Sequence, residues 1–145
     1  MRSSSAQRAS EKGKNMRFYH VTETTNVESI RRLGLLPSIG AHSKSVSEPE
    51  PLVYLFPCKG EMEYHLYGGL GAAFLIPKDD SSFDFPDLSV ICVDVNLFEI
   101  PVAHRSDNQV WEFVCKEPIP PSCIVSVEDI DVDNAWWFKE NRWLS

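Results

Sequence analysis

Apolar residues in this chain come in short runs, each cut off by proline, glycine, or an acidic or amide residue, and this punctuation admits only short strands and short helices. Runs rich in β-branched and aromatic residues predict strands over 17–21, 52–56, 72–76, 88–95, 109–116 and 123–127. Helix signals occur in two places. Thr25 with Glu28 forms a capping box, Val27, Ile30 and Leu33 make an apolar stripe, and Gly34 sits where a C-terminal glycine belongs. A second, shorter helix is expected over 61–67, with acids in its first turn and Gly68-Gly69 at its end. This mixture of strands and short helices is an α+β pattern.

At 145 residues the chain has the length of one domain, and 43% hydrophobic residues are enough to build a core. Residues 1–15 have no large apolar residue to bury beyond Met1 and are expected to form a disordered basic tail, with a single domain over 16–145. Residues 38–51, rich in Ser, Glu, Pro and Gly, are expected to form an exposed loop of the kind that covers a site. The aromatics of 136–143 are expected to dock on the core or on a partner.

Charge and cysteine content remove several function classes. Residues 1–17 carry +4, so the other 128 residues carry −11 against a net charge of −7 for the whole chain. Such a balance disfavours nucleic acid as a partner. No apolar run reaches the roughly 18–20 residues of a spanning helix, and no apolar leader opens the chain, so no membrane partner and a cytoplasmic location are expected, with delivery into a host cell as the alternative. Cys58, Cys92, Cys115 and Cys123 form no C-x-x-C pair and have no histidine at zinc-ligand spacing. They are expected to be reduced thiols, mostly buried, and no metal is expected.

Three short motifs carry the chemistry: Phe18-Tyr-His20-Val-Thr22, Leu52-Val-Tyr54-Leu-Phe56, and Val110-Trp-Glu112-Phe-Val114 followed by Ile119-Pro-Pro. Strand alternation groups Glu112 with Val110 and Val114 on one face, opposite Trp111, Phe113 and Cys115, and an acid between two valines requires a reason. A lone strand-end histidine such as His20 ordinarily bonds a backbone carbonyl, and a mid-strand tyrosine such as Tyr54 is as often core as binding surface.

In this order the motifs resemble the His-Tyr-Glu branch of the ADP-ribosyltransferase superfamily, which includes the poly-ADP-ribose polymerases. The stretch ending Arg32-Leu-Gly-Leu35 is similar to small bacterial members of the DarT type. The resemblance covers residues 16–127 and implies split antiparallel sheets around a cleft for NAD. It implies that Glu112 stabilises the oxocarbenium character that develops on the nicotinamide ribose. It further implies that His20 bonds the adenosine ribose, that Thr22 contacts the nicotinamide amide, and that Tyr54 stacks on nicotinamide. Tyr64 and Tyr67, one helical turn apart, are candidates for a second stacking face, with packing as the simpler role.

The implied activity is transfer of a single ADP-ribose unit from NAD, used as co-substrate without a metal, to a macromolecular acceptor. The charge favours a protein acceptor over nucleic acid. Val110 stands where arginine-modifying relatives carry a second acid, which weakens an arginine acceptor and leaves the acceptor's identity open. Two other readings remain. One is an RNA 2′-phosphotransferase, for which only Arg31, Arg32 and Arg105 are on hand to meet phosphate. The other is a non-catalytic module that binds NAD, ADP-ribose or a protein on the same fold.

Overall fold

The computed structural model describes residues 15–37, 51–67, 70, 74, 76–77, 83–84, 86–104 and 112–131. Strand β1 (Asn15–Glu23) runs through a 3-10 turn (Thr24–Asn26) into α1 (Val27–Leu33). After β2 (Val53–Leu55) and α2 (Lys59–Tyr67) come β3 (Ile76–Pro77), β4 (Phe83–Asp84), β5 (Leu88–Asn96), β6 (Val102–His104) and β7 (Phe113–Cys115). A 3-10 turn (Pro121–Cys123) then leads into β8 (Ile124–Asp129). The described strands form antiparallel sheets ordered β1-β5-β8 and β2-β7-β6, with β3 and β4 as a separate pair. The expected α+β class stands at this level: mixed α/β, small antiparallel sheets and short helices.

Register explains how one sequence serves two cores. Phe18, Ile91, Val93 and Val95 project from one face of β1-β5 and pack with Val53, Leu55 and Cys115 of the second sheet, joined by Leu35 and Ile119. The opposite face sends Val21, Leu88 and Val90 into a second cluster with Phe56, Met62, Leu66, Leu70 and Phe74. The last four are spaced by four residues, the repeat that puts side chains on one helical face. Burying each of the larger side chains contributes about 1.5–3 kcal/mol, so together they outweigh any single polar contact.

That spacing corrects one strand. Phe74, placed in a strand over 72–76, has helical backbone, and the described strand begins only at Ile76. Strand β6, not anticipated, pairs with β7. Of the strand expected over 109–116 the described part is Phe113–Cys115, with Glu112 immediately before it and 109–111 outside the described residues. Strand β1 begins at Asn15, paired with Asn96, so the strand includes the last residue of the expected tail. Residues 1–14, 38–50 and 132–145, which include most of the tail, the expected covering loop and the aromatic carboxyl end, lie outside the described residues.

The first helix differs at its start. Thr25 lies in the 3-10 turn, the helix begins at Val27, and the residue at its N-cap, Asn26, makes no capping bond with its side chain. Val27 and Ile30 pack on the first cluster as the stripe requires, but Leu33 is 48% exposed. Gly34 closes the helix at φ 86°. Its neighbour Leu35 exchanges two 2.9 Å backbone bonds with Ile119, tying the Arg-Leu-Gly-Leu stretch to Ile119-Pro-Pro.

Among the described residues no helix is long and apolar enough to cross a membrane.

Candidate functional site

The two main sheets meet at one bridge. Tyr19 and Phe56 exchange backbone hydrogen bonds of 2.9 and 2.8 Å, and no further β1–β2 bridge follows among the described residues. Along an antiparallel strand, main-chain groups two residues apart face the same neighbour, so the carbonyl of Tyr54 points toward β1 as that of Phe56 does. His20 meets it: Nδ1 lies 2.8 Å from the Tyr54 carbonyl oxygen. A carbonyl can only accept, so Nδ1 carries the proton, and in the neutral ring the lone pair is on Nε2. This is the backbone bond an ordinary structural histidine makes. It engages one ring nitrogen, and it serves the strand junction at the same time.

Glu112 is 3% exposed and directly precedes Phe113, the partner of Leu55, so its backbone arrives beside Phe56 at the end of β2. By strand parity it falls on the face shared by Tyr54 and Val114, whereas Leu55, Phe113 and His104 share the other. Burying a carboxylate is costly without polar partners, and no buried side-chain polar atom among the described residues lacks one. The expected grouping of Glu112 with Val114 is therefore kept, as a residue at the mouth of the strand.

Tyr54 is 5% exposed, and His20 bonds its main-chain carbonyl rather than its phenol. Thr22 shares a β1 face with His20 and is 7% exposed. Its Oγ1 accepts a 3.1 Å bond from the Asn26 side-chain amide. On α2, Tyr64 is 67% exposed while Tyr67 is half-buried against the second cluster. Beside Met62 and Leu66 of the second cluster, His65 of α2 also reaches the junction, though no sequence motif marks it. Its ring lies 4.8 Å from that of Phe56, and Nδ1 donates to the Glu61 carbonyl one turn back at 2.8 Å. Nothing in the local pattern separates it from its tyrosine neighbours; only the packing of α2 on β1 does.

Beyond Thr22 a polar chain crosses the sheet. Ser89 Oγ donates to Asp129 Oδ1 at 2.8 Å, so the 2.8 Å contact between Ser89 Oγ and Thr24 Oγ1 has Thr24 as donor. Ser89 is fully buried, and with the bond from the Thr24 amide to the Asp87 carbonyl this chain clamps the 3-10 turn against β5 and β8.

The cysteines are free. Cys92 and Cys115 are buried and Cys123 is half-buried, as expected, but Cys58 is exposed at the start of α2. Burial pushes the Cys115 thiol up; burial, with Asp94 and Glu99 nearby, does the same to Cys123. Neither is poised as a thiolate nucleophile. Among the described residues no cluster of His, Cys, Asp and Glu could hold a metal ion.

The class that these observations define is an α+β protein whose two main sheets share a core and, among the described residues, are joined by the Tyr19–Phe56 bridge, with an imidazole and a buried carboxylate at either side of β2. No family model matches the chain, and no curated protein matches it in sequence.

Proposed function

We propose that this chain is an NAD-dependent mono-ADP-ribosyltransferase, with an ADP-ribosyltransferase-like fold, that moves one ADP-ribose unit to a macromolecular acceptor, protein favoured, and releases nicotinamide. The observation that carries this reading is the β2 junction. His20 is anchored to the Tyr54 carbonyl on one edge of the strand, and the buried Glu112 flanks its other edge. Breaking the glycosidic bond of NAD leaves positive charge on the ribose. A carboxylate held out of bulk water acts on such charge far more strongly than one in solvent. The anchored imidazole has a defined tautomer and so offers a ribose hydroxyl a fixed polar group. Thr22, on the same face as His20, is within the same strand end and supplies a hydroxyl for the nicotinamide amide.

The test is incubation with NAD and chromatographic measurement of nicotinamide, followed by mass spectrometry of modified lysate proteins and nucleic acid. The wild-type chain should release nicotinamide, and Glu112→Gln should lower the rate by about 100-fold or more while remaining folded. Intact NAD with measurable binding would instead identify a binding module. Removal of the 2′-phosphate from a spliced RNA would identify the phosphotransferase.

A further inference from the structure

Asn26 occupies the N-cap position of α1, where an asparagine side chain normally accepts a hydrogen bond from the first turn. It makes no such bond. Its amide turns back by four residues and donates to Thr22 Oγ1 at 3.1 Å. A cap forgone at an exposed turn, in favour of a bond to a buried hydroxyl, is a local rule broken with a compensating gain elsewhere.

The chemical consequence concerns direction. Asn26 is the sole hydrogen-bond partner of the Thr22 hydroxyl among the described residues, and it donates to that oxygen. The hydroxyl's own proton is thereby left for an acceptor. The turn carrying Asn26 is itself held by Thr24, whose hydroxyl donates to the buried Ser89 and through it to Asp129, so the amide is presented from a braced segment. Resting on the ADP-ribosyl-transfer reading, we infer that Asn26 is a positioning and specificity-determining residue: it fixes Thr22 as a hydrogen-bond donor, so that the site selects the carbonyl oxygen of the nicotinamide carboxamide.

The test compares binding of NAD, its thionicotinamide analogue, whose sulfur is a poor acceptor, and ADP-ribose, which lacks the ring altogether. Titration calorimetry would be run on the wild-type chain, Asn26→Asp and Thr22→Val. An ionised aspartate cannot donate, and it would draw the Thr22 proton to itself; it is also a good N-cap, so the helix should be retained. Wild type should prefer NAD over the thio analogue by about three- to tenfold, the worth of one hydrogen bond. In both variants that preference should collapse toward unity, and in Asn26→Asp ADP-ribose binding should stay at the wild-type level.

Retention of the preference in Asn26→Asp, or an equal loss of ADP-ribose binding, overturns the inference and leaves ADP-ribosyl transfer standing, provided wild type still releases nicotinamide. A wild-type chain that binds neither NAD nor ADP-ribose overturns the transfer reading, and this inference with it.

Discussion

Gly34 stands against the backbone of Ile119 so closely that a β-carbon on it would lie 2.2 Å from the Ile119 carbonyl oxygen. The same residue has φ 86°, a region where a side chain is strained in any case. Both constraints come from one event, the pairing of Leu35 with Ile119 directly after α1 turns. Gly34→Ala should therefore destabilise the fold by at least ~2 kcal/mol, since backbone on the far side cannot yield as a flexible side chain would. Urea denaturation checks this; a midpoint within error of wild type would mean that the α1 end is not so tightly docked.

His20 has two separable duties, and two substitutions part them. An asparagine at 20 carries an amide nitrogen where the ring has Nδ1, so His20→Asn should keep the bond to the Tyr54 carbonyl and retain nearly wild-type stability. His20→Ala removes that bond and should cost about 1–2 kcal/mol. Both variants should lose NAD turnover if the ring's other nitrogen serves the substrate. Thermal melts beside nicotinamide assays decide the matter, and equal stability for the two would refute the anchoring role.

Glu112 should show a trade between activity and stability. Replacing a carboxylate that is 3% exposed with the isosteric neutral amide removes a desolvation cost, so Glu112→Gln should unfold at the same or higher temperature than wild type even as nicotinamide release falls. A large drop in melting temperature would instead make this carboxylate chiefly a structural hydrogen-bond acceptor.

Ser89 is the fully buried middle member of the Thr24-Ser89-Asp129 chain. Ser89→Ala should cost about 1–3 kcal/mol, because it strips a donor from Asp129 and the acceptor of Thr24 together. Calorimetric unfolding measures it, and amide exchange should quicken first at Thr24–Asn26.

Thiol chemistry should follow burial. At pH 8 an aromatic disulfide reagent should label Cys58 promptly, while Cys92 and Cys115 wait for unfolding. Cys123, half-buried and with its thiol pushed up by burial first and by Asp94 and Glu99 next, should react slowly. Raising the pH ionises such a thiol only above its ordinary range, so the rate at Cys123 should keep climbing at pH values beyond the usual thiol region. Simultaneous labelling of all four at pH 8 would contradict the packing described.

Much of the framework was legible in the chain because it rests on local chemistry. The strands around Phe18, Tyr54 and Ile91 follow from β-branched and aromatic runs, and Gly34 follows from its place after a periodic stripe. Phe74 misled because an apolar run of its length fits strand or helix equally; its four-residue spacing from Leu70 and Leu66 matters only once a helical face is packed. Thr25 misled in the same way, since a capping box presumes that the helix begins beside it, and here a 3-10 turn comes first.

By itself the sequence supplied candidates, His20, Thr22, Tyr54 and Glu112, through short motifs that resemble those of a known family and, for Glu112, through strand alternation, both of which are read from neighbours along the chain. Tertiary structure alone decided what those residues touch. That the His20 ring bonds the Tyr54 main chain, that Asn26 serves Thr22 instead of its own helix, and that His65 rather than Tyr64 reaches Phe56 all depend on how separate segments approach. The physical reason is range: propensity and periodicity act over a few residues, whereas hydrogen-bond direction and ring packing are set by the register and docking of strands far apart in the chain.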